Sequence, residues 1–143
     1  MMNVITGEPN KVVVHYKNGA VVKGTTLDFV AEKPKFHLTH MDNRIEEIEV
    51  ESTKAIFFVK SFEGNKDYKE KRDFAGVSPQ DLRGLKVKVV FQDNEMVLGS
   101  TLGYNKQRKG FFILPVDPQS NNIRIYVVAS AIKDIKLGSL AEK

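Results

Sequence analysis

The chain has 143 residues with no cysteine and no tryptophan, 41% hydrophobic and 28% charged, which suits one ordinary soluble domain or two very small ones and excludes disorder, collagen and disulfide scaffolds. Twenty-two Lys and Arg against eighteen Asp and Glu leave a formal net charge of +4, a mild bias that permits an anionic partner without demanding one. No apolar run approaches the roughly 18 to 20 residues that span a bilayer, and Met1 to Glu8 lacks the basic and apolar regions of a signal peptide, so a cytoplasmic protein with no membrane partner is expected.

Residues 1–10 carry no periodic pattern and are expected to be loosely held. Val12, Val14 and Tyr16 then alternate with Val13, His15 and Lys17, the period of a half-buried strand. Asn18-Gly19 marks a hairpin, because these residues accept the positive φ of tight turns. A two-residue turn would set Val21 and Lys23 on the face of Val14. A three-residue turn would set Val22, Gly24 and Thr26 there, and is preferred because those positions recur later in the chain. Strands are predicted at Lys35 to Met41, Ile45 to Glu51 and Lys54 to Lys60. Residues 61–85 form a charged connector in which Ser78-Pro79-Gln80-Asp81 offers the serine N-cap and proline N1 of a helical turn. Beyond it Val87, Val89 and Phe91 alternate with Lys88, Val90 and Gln92, Asp93-Asn94 marks a second hairpin, and strands follow at Gly110 to Val116, Ile123 to Val128 and Ala131 to Leu137. Residues 138–143 are read as a loose tail.

Residues 11–38 lie on residues 86–113 without a gap at an offset of 75, matching Lys11, Val12, Val14, Val22, Gly24, Thr26, Leu27 and Phe36 with Lys86, Val87, Val89, Val97, Gly99, Thr101, Leu102 and Phe111. Later the pattern resumes one residue out of phase, with Ala55-Ile56 over Ala131-Ile132. An internal duplication follows, with a first unit at 11–60 and a second at 86–137. Gly24 and Gly99 sit inside a strand, where a missing side chain permits a sharp bend or close backbone approach. Five short strands in about 50 residues point to a small bent barrel, so the fold class is all-β with two tandem barrels. Val12, Val14, Val22, Phe36, Leu38, Val87, Val89, Val97, Phe111 and Ile113 are the expected core.

Strand, Asn-Gly or Asp-Asn turn, V-x-G-x-T-L-x-aromatic, a variable loop and a closing hairpin ending in Ser130-Ala131-Ile132-Lys133-Asp134-Ile135 resembles the Sm-like and SH3-like small barrels. Sm-like proteins build a uridine pocket from an Asp and an Asn. Asp28 answers to the first in one unit, Gly103 replaces it in the other, and the Asn is absent from both, so the resemblance implies the barrel and not that pocket. The chain is also similar to an uncharacterised bacterial family sharing the stretch F-V-K-S-F-E-G-N, here Phe58 to Asn65, which implies no particular activity.

Catalysis has little to start from. His37, His40 and Asp42 have metal-ligand chemistry, but in an extended segment the two imidazoles point to opposite faces, so no metal site is expected. There is no nucleophile elbow, P-loop or dinucleotide fingerprint, and Glu46, Glu47, Glu49 and Glu51 read as a solvated strand face. The expectation is a non-enzymatic binding or adaptor module with no cofactor, a protein being the first candidate partner. The alternative is RNA or single-stranded nucleic acid, held by two equivalent basic loops. Lys33 and Lys35 in one, and Lys106, Arg108 and Lys109 in the other, would meet phosphates while Tyr104 stacks a base. The same lysines also serve as hydrated hairpin tips that guard strand edges.

Overall fold

Alternating β-branched residues bury one face of the first strand of each unit, and Val12, Val14, Val87 and Val89 are all fully enclosed. A computed structural model describes residues 9–31, 33–64, 74, 84–117 and 119–142. Its strands are β1 Asn10–Tyr16, β2 Val21–Thr26, β3 Lys35–Thr39, β4 Ile45–Glu49 and β5 Thr53–Val59. The second half contributes β6 Leu85–Phe91, β7 Met96–Thr101, β8 Gly110–Pro115, β9 Asn122–Val128 and β10 Ile132–Leu137. The charged run at 65–73 and the expected helical turn at Ser78 to Asp81 lie outside the described residues.

All ten strands belong to one antiparallel sheet in the order β10-β6-β7-β8-β9-β5-β1-β2-β3-β4. The expected pair of tandem barrels is therefore corrected to one continuous sheet that does not close, with β4 and β10 as its edges among the described residues. The cause lies in β5 and β9. Both are apolar on two faces, and they pair with each other through Ala55–Val127, Ile56–Tyr126 and Phe57–Ile125. Successive residues of a strand point to opposite sides, so this seam feeds two cores on opposite faces. Ile56, Phe58, Tyr126 and Val128 join Val12, Val14, Phe36, Leu38 and Ile48 in the first core. Ala55, Ile125 and Val127 join Val87, Val89, Phe91, Phe111 and Ile113 in the second. Of the expected core residues, only Val22 and Val97 are partly buried, packed against the cores' margins.

The hairpins have the three-residue turn, with Val14 opposite Val22 and Val12 opposite Gly24 in one, Val89 opposite Val97 and Val87 opposite Gly99 in the other. Gly19 N–H donates to the Tyr16 carbonyl at 3.0 Å and Asn94 N–H to that of Phe91 at 2.8 Å, each in the left-handed region with φ of 93° and 72°. The later alignment needs correction. Ile56 lies opposite Val14 and Ile135 opposite Val89, so the closing strands correspond at an offset of 79, and the four-residue difference arises within the β8–β9 hairpin, where Phe111 pairs with Val127 as Phe36 pairs with Ile48 in the β3–β4 hairpin.

Gly138–Glu142 forms a 3-10 turn whose Ala141 is buried with Phe74 and Val116, and Lys86 pairs with Glu142 at 3.0 Å. Asn10 likewise belongs to β1, paired with Thr26. Lys54, bulged out of the β1–β5 register, is only 9% exposed in its side chain and donates to Asp93 at 2.8 Å and to Glu95, tying the first half to the hairpin of the second. Burial works to lower the Lys54 pKa, but these hydrogen bonds and charges outweigh it and hold the ammonium above its ordinary value.

Candidate anion-binding cleft

The two basic loops, which follow β2 and β7, reach the same place because the seam brings β9 beneath the first. Phe29 anchors that loop by packing edge-on against Phe36 at 5.2 Å and Tyr126 at 5.2 Å. The Tyr126 hydroxyl donates to the Ala31 carbonyl at 3.2 Å, and Val50 N–H donates to the Pro34 carbonyl at 2.9 Å. In the second loop Arg108 N–H donates to the Asn105 carbonyl at 3.0 Å, and Ala129 N–H donates to that of Lys109 at 2.8 Å. Between the loops lies a cleft of about 260 Å³ with Ala31, Pro34, Val50 and Tyr126 as its apolar wall. Among the described residues, Lys33, Arg108 and Lys109 line it together with the carboxylate of Glu51. Glu51 accepts a hydrogen bond from Ser130 at 3.0 Å and faces Lys17 at 3.9 Å, so part of its charge is already engaged.

The six predicted contact residues thus divide. Lys33, Arg108 and Lys109 share the cleft. Lys35 turns away and pairs with Glu47 on β4 at 3.4 Å. Lys106 stands exposed in the same loop as Arg108 without lining the cleft. Tyr104 packs edge-on against Phe111, 5.0 Å between centroids, at the margin of the second core. One residue unforeseen in the sequence lines the cleft, Tyr126, hidden in the apolar run of β9, while Arg124 of the same strand is not among the lining residues and lays its guanidinium over the rings of Phe58 and Phe112 at 4.5 and 4.4 Å. Burial pushes the Arg124 pKa down.

Asp28 is occupied within the chain, accepting from His37 N–H at 2.9 Å and lying 2.7 Å from His37 Nδ1. Burial works to raise its pKa, and the hydrogen bonds from His37 and Thr26 overcome that and set it below the ordinary carboxylate value. His40 lies in the turn after β3 and not on the strand, 2.7 Å from Glu46. Among the described residues, no three His, Cys, Asp or Glu side chains gather as metal ligands, and no helix is long and apolar enough to cross a membrane.

On the sheet's other side, a groove of about 560 Å³ runs between the outer face of β1 and β5 and strand β7. There His15 packs on Phe57 at 4.6 Å. Burial pushes its pKa below the ordinary 6.5, Lys54 adding to the effect while Glu95 and Asp93 oppose it. The unfolded chain then takes up this proton more readily than the folded one, so the contribution is fully present above pH 6.5 and is lost as pH falls below it. The melting temperature should therefore drop between about pH 7.5 and about 5.5, and drop less in His15→Gln. Equal drops in the two proteins would refute the assignment to His15.

An all-β chain with one open sheet and a basic cleft at its central seam is the class these features define. The chain belongs to the family of unknown function designated DUF6982, whose model matches residues 8–139 and so spans both halves and the cleft. No curated protein and no solved structure matches the chain.

Proposed function

We propose that the chain is a non-enzymatic binding or adaptor module of the cytoplasm whose cleft receives an acidic segment of a partner protein. The observation that carries this is the convergence of Lys33, from one loop, with Arg108 and Lys109, from the other, on one apolar-walled cleft. Its volume of about 260 Å³ falls just under the roughly 300 to 1,000 Å³ of pockets for drug-sized ligands, and suits a side chain or two of a segment lying across it. A carboxylate there would meet cations with carbon surface behind it, where ion pairs weaken less than in open water. The shared hairpin registers support reading each half as a copy of one small Sm-like or SH3-like unit, opened where the copies meet.

Nucleic acid is the second reading, supported by the same three cations, but Tyr104 is held against Phe111 and three cations make a small footprint for a phosphate chain. An array of acidic peptides and a labelled single-stranded oligonucleotide, each titrated at low salt, separates the two. The first reading expects an acidic sequence to bind, with affinity falling about tenfold or more in Lys33→Glu/Arg108→Glu/Lys109→Glu and little in Lys35→Glu. Oligonucleotide binding that falls by about 0.7 log units per log unit of salt for each phosphate contacted would favour the second. If neither probe binds, both readings fail.

A further inference from the structure

The two sides of the cleft are built alike and charged unlike. Val50 N–H donates to the Pro34 carbonyl at 2.9 Å and Ala129 N–H to that of Lys109 at 2.8 Å, each opening a 3-10 turn, Val50–Ser52 after β4 and Ala129–Ala131 after β9. At these equivalent places the second half sets Lys109 and Ser130 where the first sets Pro34 and Glu51. A carboxylate thus stands in a lining whose described cations are Lys33, Arg108 and Lys109. Resting on the reading that an acidic segment occupies the cleft, we propose that Glu51 selects a segment of mixed charge, in which a basic side chain reaches Glu51 while the acidic one beside it turns to Lys109 and Arg108.

The Glu51 carboxylate is oriented by contacts from both halves. The Ser130 hydroxyl donates to its Oε2 at 3.0 Å, and the Lys17 ammonium donates to Ser130 Oγ at 2.6 Å and lies 3.9 Å from the same Oε2. Both contacts fall on one oxygen, and a carboxylate with two oxygens and about four lone pairs can still accept at Oε1. Nor is its charge cancelled. The Glu51 side chain is 52% exposed, and an ion pair at 3.9 Å in such a place is worth little. A bound segment would cover Glu51 on its open side, where a charge-assisted bond gains strength as water leaves. A wholly acidic segment therefore gains the cations of the loops but meets one like charge, whereas a basic neighbour turns that repulsion into an attraction.

Fluorescence anisotropy of the full chain with labelled peptides at low salt tests this. The peptides match in length and carry either three adjacent glutamates or two glutamates with one lysine, placed before or after them. The wild type should bind the mixed peptide, in one of its two orders, about threefold to fivefold more tightly than the all-acidic one, the range of a part-exposed ion pair. Net charge alone predicts the reverse, since the chain carries +4. Glu51→Gln should abolish the preference and bind the all-acidic peptide more tightly than the wild type does. Asp134→Asn, exposed on β10 and not lining the cleft, changes net charge equally and should keep the preference. Far-UV spectra matching the wild type's confirm that both variants fold. A wild type that binds the all-acidic peptide as tightly as both mixed ones or more so overturns the proposal, as does a preference that survives Glu51→Gln or vanishes equally in Asp134→Asn. In those cases peptide binding itself still stands, so the acidic-segment reading outlives the selectivity. If no peptide binds the wild type, that reading fails and the selectivity with it.

Discussion

Gly99→Ala is expected to destabilise the chain by at least about 3 kcal/mol, an effect read as lost soluble expression or a collapsed denaturant midpoint. Gly99 lies in β7 where β8 crosses closely, the two strands pairing only through Gly99–Pro115 and Ser100–Leu114. An added Cβ would run into the Leu114 carbonyl and lie 2.6 Å from Cγ2 of Ile113, a fully buried residue of the second core. Backbone cannot swing aside as a side-chain tip can, so relief requires β7 to move off β8. Gly24 meets the Thr39 carbonyl and Leu38 in the same manner, and Gly24→Ala should behave alike. Gly103 is the control: a Cβ there meets nothing within 4 Å, and Gly103→Ala should stay within about 0.5 kcal/mol of wild type. Urea unfolding of the three variants checks the contrast, and a mild Gly99→Ala would show that β7 and β8 are not held at this spacing.

Phe111→Ala should cost about 3 to 5 kcal/mol, the range for emptying a buried aromatic site. Phe111 is 5% exposed, packs edge-on against Tyr104 and lies opposite the fully buried Val127. Its neighbours are fixed in strands on several sides, which limits collapse into the space. Because Val127 stands on a strand that also feeds the first core, the loss should appear in one cooperative transition and not as early melting of the second half. Calorimetry beside urea titration measures both. A change below about 1 kcal/mol would show that the ring is not held in the core.

The hairpins are legible in the sequence because the alternation from Val12 to Tyr16 and the turn residues Asn18-Gly19 constrain register locally. The joining of the halves is not. β5 and β9 read as runs of apolar residues, and such a run records that both faces are covered without saying by what. The later offset escapes the sequence for a similar reason: Ala55-Ile56 and Ala131-Ile132 are alike in type, while only pairing to β1 and β6 shows which residues correspond. At the cleft the cations stand out because Lys33, Arg108 and Lys109 interrupt apolar segments in equivalent loops. Tyr126 carries no such mark, since its hydroxyl acquires a role only when Ala31, far away in sequence, arrives beside it.

The seam also bears on which changes of chain length such a protein can inherit. Ala55 and Phe57 serve one core while Ile56 and Phe58 serve the other, so a single-residue insertion or deletion in β5 would send each side chain into the opposite interior and spoil both at once. An ordinary half-exposed strand would merely trade one packed face for a wet one. The β8–β9 hairpin, four residues longer than the β3–β4 hairpin between equivalent pairs, is where the two halves differ in length. Natural variation in length should therefore collect in connections of that kind, with the central strands acting as the fixed ruler against which the rest of the chain is measured.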